Sequence, residues 1–315
     1  MNHAPRQSTE APHWHCPVCR QPLQASEHRY TCAAGHSFDL AREGYLNLLQ
    51  ANRKHSAEPG DSKAMLISRR KFLEAGHYQP LAKRLAELAR ELRNDDRFAV
   101  LDSGCGEGWY SGQLATALHE QLPEGLALHG IDIGRDAMRM AAKRYPQLHF
   151  AVASNAALPF GDADLQLLLR VFAPGSDAEV ARVLAPGGHF VVVNPGPEHL
   201  FALRQLVYRD PRRHDTPQAQ IDGLEHVARH AVQYPLALER PGDAARLLAM
   251  TPYYWRADAD TQAQIAALPR FDTPVDFCID IYRKPVSADG DGDGDGDGDG
   301  DGDGDGDGGG GGGGD

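Results

Sequence analysis

The stretch Val100-Leu101-Asp102-Ser103-Gly104-Cys105-Gly106-Glu107-Gly108 decides the fold. Its apolar start predicts a buried strand, its glycines predict a tight turn, and the residues from Trp109 onward predict a helix. Glycine adopts backbone conformations that other residues avoid, and it lets a ligand lie against bare backbone. The stretch differs from the dinucleotide fingerprint G-x-G-x-x-G, because Trp109 stands where the third glycine would be.

Strands and helices alternate around this turn. Apolar runs predict strands over 99–102, 126–133, 148–153, 165–171 and 189–193, and helical spacing predicts helices over 81–92, 109–122, 136–144 and 177–184. Farther along, a helix is predicted over 241–250 and a late strand over 277–282. This late strand could join the sheet in the antiparallel direction. Short strands that alternate with helices indicate a parallel sheet covered on both faces. The expected fold class is therefore α/β and Rossmann-like.

A ligand pocket is expected where the central strands end. Glu107 in the turn would repel a pyrophosphate but suits a cationic or zwitterionic ligand. Asp132 closes the next strand, where a carboxylate can accept both hydroxyls of a ribose. This combination predicts a pocket for S-adenosylmethionine rather than NAD, and a Rossmann-like domain that has lost its ligand is the alternative. The residues assigned to the pocket are Asp102, Gly104, Gly106, Glu107, Gly108 and Asp132.

Four potential metal ligands precede the sheet. Cys16 and Cys19 are separated by two residues, and Cys32 and His36 by three, with twelve residues between the pairs. This spacing matches a tetrahedral Cys3His zinc site, and four protein ligands leave no open position, which predicts one structural zinc ion per chain. A redox role for the Cys16-Pro17-Val18-Cys19 segment is the alternative, although such motifs open a helix inside a βαβ unit.

Charge and composition divide the chain into four expected parts. The 315 residues carry a formal net charge of −12, but the Asp-Gly repeats of residues 289–315 hold eleven aspartates, so the rest is nearly neutral. The expected parts are a zinc module (1–48), a basic linker that contributes to the cofactor site (49–80), a sheet domain (81–285) and a disordered tail (286–315). The basic residues proposed to contact RNA phosphates are Arg53, Lys54, Arg69, Arg70 and Lys71.

The sequence also bears on location. No stretch approaches ~18 consecutive apolar residues, which argues against a membrane span. The N-terminal residues lack the apolar core of a signal peptide, so a cytoplasmic protein is expected. Five cysteines in a chain of this length do not indicate a disulfide scaffold.

Several further motifs make a resemblance specific. They are the Cys16–Cys19 and Gly35–Asp39 segments of the zinc module, Glu43–Leu49, Pro59–Ser62, Arg69–Leu73, Gly76–Pro80, Leu158–Phe160, Pro195–Leu200 and Met250–Pro252. With the glycine-rich turn, these motifs show that the chain resembles the bacterial zinc-containing 23S rRNA (guanine-N1)-methyltransferase family over roughly residues 14–285.

The resemblance carries expectations about fold, activity and site. It implies a class I S-adenosylmethionine-dependent methyltransferase domain, a zinc module that recognises RNA, a homodimer, and methylation of N1 of a guanine in a 23S rRNA hairpin. It implies cofactor contacts from Tyr78, Gly106, Glu107 and His199. Related methyltransferases often bind the adenine amine with an aspartate where this chain has Ser154, so Ser154 or Asn155 is expected to serve.

Methylation of guanine N1 must also remove a proton, and two further sets of residues are candidates near the reacting base. Arg170 could stabilise negative charge on guanine O6, with a scaffold salt bridge as the alternative. Phe172, Trp109 or Tyr110 could stack on an extruded base, with core packing as the alternative for each. No general base is assigned.

Two functions from other classes remain open. One is a small-molecule methyltransferase whose zinc module is a structural appendage, and the basic N-terminal residues argue against it. The other is a non-catalytic, zinc-bearing RNA-binding protein, and the intact turn with Asp132 argues against that.

Overall fold

The computed structural model describes residues 14–50, 60–93, 97–119, 122 and 125–286. The Asp-Gly tail and two of the expected RNA contacts, Arg53 and Lys54, lie outside these described residues. No helix in the described ranges has the length and apolar character needed to cross a bilayer.

One eight-stranded sheet forms the centre of the molecule. Its strands are β4 (Tyr45–Asn47), β5 (Phe98–Ser103), β6 (Leu126–Asp132), β7 (His149–Val152), β8 (Leu165–Val171), β9 (Leu184–Pro195), β10 (Glu225–Leu238) and β11 (Phe271–Arg283). Their order is β10-β11-β9-β8-β5-β6-β7-β4, in which β4 to β9 run parallel and β11 and β10 add in antiparallel fashion. The alternating α/β prediction is confirmed, including an antiparallel late strand.

Strand β10 was not predicted from the sequence. It lies at the edge of the sheet and alternates exposed with half-buried residues over most of its length. Pro235 interrupts the sequence pattern, and proline is tolerated on edge strands because its missing N–H would face solvent. An edge strand of mixed polarity therefore gives little hydrophobic signal.

Eight α-helices accompany the sheet in the described residues. They are α1 (Lys63–Glu74), α2 (Gln79–Glu91), α3 (Trp109–His119), α4 (Arg135–Arg144), α5 (Asp177–Val183), α6 (Phe201–Val207), α7 (Asp243–Ala249) and α8 (Ala259–Ala266), with a 3₁₀ helix at Pro252–Trp255. The α1 helix begins after Ser62, whose hydroxyl accepts the N–H of Met65, and α5 begins after Ser176 in the same way. Such caps satisfy N–H groups that a helix start leaves free.

The two faces of the sheet are covered by different parts of the chain. On one face Val100 and Leu169 pack with residues of α2, α3 and α7. On the other face Leu101 and Leu168 pack with α5 and with Trp14 of the N-terminal module. The module therefore completes the core of the main sheet instead of standing apart from it.

The N-terminal module has its own small antiparallel sheet of β1 (Gln24–Ala25), β2 (Arg29–Thr31) and β3 (Ser37–Asp39). The sequence placed the end of this module at residue 48, but β4 (Tyr45–Asn47) pairs with β7 at the edge of the main sheet. The backbone N–H of His15 also donates to the Pro159 carbonyl at 2.8 Å. Backbone pairing with the main sheet thus begins within the segment assigned to the module.

Candidate functional site

The turn between β5 and α3 requires its glycines. Gly104, Gly106 and Gly108 have φ angles of +79°, +56° and +80°, in the left-handed region that side chains disfavour. A Cβ atom on Gly104 would lie 2.4 Å from the Cβ of Ala173. The turn is therefore tightly packed against the segment that follows β8.

Asp132 joins the two loops that follow β5 and β6. Its Oδ2 accepts the N–H of Gly106 at 3.0 Å, and its Oδ1 accepts the N–H of Gly134 at 2.7 Å. Burial raises the pKa of Asp132, and the two backbone N–H groups oppose that rise. The carboxylate thus fixes the glycine-rich turn from the side of the neighbouring strand.

Asp102 lies beneath the turn. Its side chain is buried, and its Oδ2 accepts the hydroxyl of Ser111 at 2.6 Å. Burial raises the pKa of Asp102 to about 7, against the opposing effect of Ser111. Because Ser111 belongs to α3, the observed contact of Asp102 holds the start of that helix against the end of β5.

Helix α1 covers the turn with two arginines that the sequence assigned to RNA phosphates. Arg70 donates to Glu107 at 2.9 Å and to the Met140 carbonyl, while Arg69 pairs with Asp61 at 2.5 Å. A Cβ on Gly106 would lie 3.4 Å from an Arg69 Nη1 atom. Both guanidinium groups are engaged over the cofactor turn, and the contact of Arg69 and Arg70 with RNA stays a prediction from the sequence.

Lys71, the next residue of α1, remains exposed. It lines a surface groove together with Arg240 and Arg246, and the acidic residues of that groove include Glu74 and Asp243. Asp243 is buried and already paired with Arg246. Of the three neighbouring basic residues 69–71, Lys71 is therefore the one placed to meet an external anion.

Four polar side-chain atoms at or beside the turn are buried without a hydrogen-bond partner among the described residues. They are Ser103 Oγ, Glu107 Oε1, Tyr110 Oη and Asn155 Oδ1. Native proteins contain few buried polar groups without a partner, so several at one place point to a missing polar ligand. The donors and acceptors of S-adenosylmethionine, which carries an amine, a carboxylate, ribose hydroxyls and an adenine, fit this set of atoms.

Asn155 reaches the turn, whereas the Ser154 hydroxyl makes a local bond. The Nδ2 of Asn155 lies 3.0 Å from the position of a Cβ on Gly104 and donates to the Pro174 carbonyl. Ser154 Oγ accepts the N–H of Ala156 at 3.2 Å. Of the two alternatives left by the sequence, Asn155 has the free acceptor beside the turn.

Tyr78 and His199 meet on the other side of the site, at Phe277. The Phe277 ring centroid lies 4.9 Å from that of Tyr78 and 5.0 Å from that of His199. Burial lowers the pKa of His199 to about 3, with His214 adding to the effect, so the imidazole is neutral near pH 7. Its Nδ1 accepts the N–H of Asp276 at 3.4 Å, which leaves the proton on Nε2 as a donor.

Asp276 and Phe277 were missed by the sequence reasoning. They lie on β11, about 170 residues after the turn, and no local spacing links them to it. The side chain of Asp276 is buried and accepts the N–H of Glu198, which fixes the loop that carries His199. Asp276 is one of three aspartates in β11, with Asp272 and Asp280, so the sequence of the strand does not single it out.

Arg170 serves the scaffold in this structure. Its buried guanidinium pairs with Asp177 at 3.1 Å and lies 4.8 Å from the centroid of the Phe190 ring. Alternation along β8 directs it to the face of Leu168, opposite to that of Leu169, which packs in the core with Tyr78. This contact is the alternative that the sequence left open, a salt bridge within the fold, and a role of Arg170 at guanine O6 stays a prediction.

The four predicted metal ligands are brought together. One donor atom from each of Cys16, Cys19, Cys32 and His36 lies within 4.8 Å of all the others. The Cys32 sulfur is 3.5 Å from that of Cys19 and 3.4 Å from Nδ1 of His36. Ligands at ~2.3 Å from a tetrahedral zinc ion are separated by ~3.8 Å, so this donor set fits zinc.

Comparisons with known proteins agree with both halves of the site. The family described as "RlmA, N-terminal" matches residues 14–57, and the family described as "Methyltransferase domain" matches residues 100–188. The chain is 37% identical over 262 residues to the 23S rRNA (guanine(748)-N(1))-methyltransferase of Streptomyces fradiae, covering 81% of this chain and 90% of that protein. Two relatives provisionally named as 23S rRNA (guanine-N1)-methyltransferases are 34% identical (Micromonospora griseorubida; 82% and 92% covered) and 32% identical (Bacillus subtilis; 85% and 96% covered).

Proposed function

The chain belongs to the 23S rRNA (guanine-N1)-methyltransferase family, and on that premise we propose that it transfers a methyl group from S-adenosylmethionine to N1 of one guanine in a hairpin of 23S rRNA. The observation that carries the proposal is structural. A Cys3His zinc ribbon packs into the core of the sheet that carries the glycine-rich methyltransferase turn. A hairpin suits such an enzyme because bases near its loop are extruded more easily than those of a long duplex.

The cofactor is proposed to lie along the turn. Gly104, Gly106 and Gly108 provide bare backbone, and Asp132 is the acceptor for the ribose hydroxyls. Glu107, held by Arg70, keeps one oxygen for the ligand, and Asn155 takes the place of the aspartate that related enzymes use for adenine. The remaining proposed contacts are Asp102 beneath the turn, Ser154, Tyr78 and His199.

When bound, the cofactor supplies an electrophilic methyl group on a positively charged sulfur. The residues of this chain then act by alignment and by excluding water, because charge is lost as the methyl group moves to N1. Tyr78 and Phe277 are buried and keep this side of the pocket apolar. His199 donates from Nε2 and is neutral, so we assign it a hydrogen-bonding role rather than that of the base that takes the N1 proton.

RNA recognition is proposed to involve the zinc ribbon, with Lys71 as a phosphate contact beside Arg240 and Arg246. Arg53 and Lys54 stay proposals from the sequence, because they lie outside the described residues. A homodimer and a cytoplasmic location are proposed on the family resemblance, and a membrane partner is not expected.

Transfer of labelled methyl to total RNA, compared with transfer to a metabolite extract, tests the proposal against both alternatives. Label in 23S rRNA is expected, and reverse transcriptase should stop one nucleotide before the modified guanine, because N1 methylation blocks base pairing. At a limiting concentration of S-adenosylmethionine, the stop should weaken with Asp132→Asn and persist with Asp136→Asn, whose side chain is 44% exposed and lies four residues farther along.

The outcomes separate the candidate functions. Label confined to the metabolite extract would favour a small-molecule methyltransferase with a structural zinc ribbon. RNA binding without any transfer would favour the non-catalytic RNA-binding protein. A stop pattern that is identical with and without active enzyme would rule out this rRNA substrate.

A further inference from the structure

Phe172 is an exposed aromatic residue at the edge of the candidate site. It follows β8 directly, and the next residue, Ala173, is the one that a side chain on Gly104 would strike. Phe172 is 43% exposed, although it lies next to a site whose other aromatic residues, such as Tyr78 and Phe277, are buried. An exposed phenylalanine beside a methyltransferase turn is available to a ligand.

The backbone of Phe172 is held in an unfavourable conformation. Its φ angle is +53°, in the left-handed region that is an outlier for a bulky residue. The surrounding contacts enforce it: the N–H of Phe172 donates to the Val193 carbonyl at 3.1 Å, and Asn155 fixes the Pro174 carbonyl. Strain that neighbours maintain is concentrated at functional sites, because it places a side chain where relaxed backbone would not.

The ring of Phe172 has partners on one side. Its centroid lies 5.5 Å from that of His199, at an interplanar angle of 35°, and 5.7 Å from that of Phe277. The two other stacking candidates from the sequence are less exposed, because Trp109 is buried and Tyr110 is half-buried, with its ring centroid 4.9 Å from that of Trp109. Among these three aromatics, Phe172 is the most exposed, and its ring also contacts His199 and Phe277 of the site.

We propose that Phe172 is the stacking platform for the extruded guanine, and that its strained backbone serves to present the ring beside His199. The proposal rests on the proposed function and deepens it by naming the residue that holds the target base. An aromatic face suits this task, since every base presents a π-face that stacks on it. Guanine N1, the methyl acceptor, would then lie between the cofactor turn, which contacts Ala173, and His199, which offers a hydrogen bond from Nε2.

The test uses Phe172→Gly in the full chain. Glycine adopts a φ of +53° without strain, so the melting temperature should stay within about 3 °C of the wild type. Removing the stacking surface should lower kcat/KM for the rRNA hairpin roughly 5- to 150-fold. The affinity for S-adenosylmethionine, measured by calorimetry, should be unchanged. Phe172→Trp should retain most of the activity.

Ala163→Gly is the matched control. Ala163 also has a left-handed φ, of +60°, and lies in the loop before β8, so this change relieves the same kind of strain without removing a ring. It should leave kcat/KM unaltered.

A second measurement isolates contact with the base. The hairpin is compared with a copy in which the target guanosine, mapped from the wild-type reverse-transcriptase stop, is abasic. Wild type should prefer the intact hairpin in binding, and Phe172→Gly should reduce that preference toward one.

Three results would overturn the inference. The first is activity of Phe172→Gly equal to that of the wild type on an RNA that the wild type methylates. The second is a loss of S-adenosylmethionine affinity as large as the loss of kcat/KM, and the third is a full preference of Phe172→Gly for the intact base. Failure of the proposed function is recognised separately, because the wild type itself would then methylate no rRNA.

Discussion

Replacing Asp102 with asparagine should stabilise the cofactor-free protein, and increasingly so as the pH rises. Asp102 is 1% exposed, and burial raises its pKa from 3.8 to about 7. A raised pKa means that the folded protein binds this proton more tightly than the unfolded chain does. The contribution of Asp102 to stability is therefore favourable at low pH and is lost as the pH rises from about 4 to about 7.

The size of the effect follows from the same two pKa values. A shift of about three pKa units corresponds to about 4 kcal/mol at full ionisation, since one unit is worth about 1.4 kcal/mol. About 2 kcal/mol of this is already lost at pH 5, so the difference between pH 5 and pH 8 is roughly 2–3 kcal/mol. Asparagine keeps an acceptor for the Ser111 hydroxyl but has no charge to bury.

Urea unfolding of zinc-loaded protein at pH 5 and pH 8 measures this difference. Asp102→Asn should raise the free energy of unfolding at pH 8 more than at pH 5, and comparison with wild type at each pH cancels the titration of other groups. Asp258→Asn is the control, because Asp258 is the exposed N-cap of α8 and asparagine caps a helix equally well. The N–H of Thr261 lowers the pKa of Asp258, so this replacement should not reproduce the extra stabilisation at pH 8. An Asp102→Asn effect that is destabilising, or the same at both pH values, would refute the reasoning.

Three further predictions concern the zinc ribbon and the turn. Cys32→Ala should lose zinc in metal analysis and lower the free energy of unfolding of the whole chain by several kcal/mol, because the ribbon shares a core with the main sheet. The control Cys278→Ala should keep one zinc ion per chain in the same analysis. A separate, unchanged unfolding transition for the sheet would contradict this. Asp132→Asn replaces one carboxylate oxygen with an NH2 group, which cannot accept a hydrogen bond from a ribose hydroxyl. The loss of one charge-assisted hydrogen bond to the ribose, about 1.5–3 kcal/mol, should weaken S-adenosylmethionine roughly 10- to 150-fold in calorimetry, and an unchanged affinity would place the ribose elsewhere. Gly104→Ala should lower the free energy of unfolding by about 2–5 kcal/mol, because of the φ angle of Gly104 and the 2.4 Å approach of the new Cβ to Ala173. Its control is Gly44→Ala, where φ is +95° and no atom lies within 4 Å, so the loss should be only about 1–2 kcal/mol. Equal losses would show that the structure relieves the contact with Ala173.

The sequence by itself determined the features that depend on local spacing. The α/β alternation could be predicted because strand and helix periods are written in consecutive residues, and the turn because Gly104, Gly106 and Gly108 adjoin a strand. The zinc ligands could be predicted because Cys16, Cys19, Cys32 and His36 lie on two short knuckles that the chain closes locally. Each of these signals involves residues within about twenty positions of one another.

Only the tertiary structure decided which distant side chains meet. The sequence predicts Arg70 as an exposed basic residue, but helix packing brings it to Glu107, which lies 37 positions farther along and is buried. Arg170 and Leu169 differ by one position and face opposite sides of the sheet, because successive strand residues alternate. Phe172 is left exposed, in a left-handed conformation, by contacts with strands β9 and β11. The physical reason is common to all three: burial and pairing depend on neighbours that the chain supplies from far away, and no local pattern encodes them.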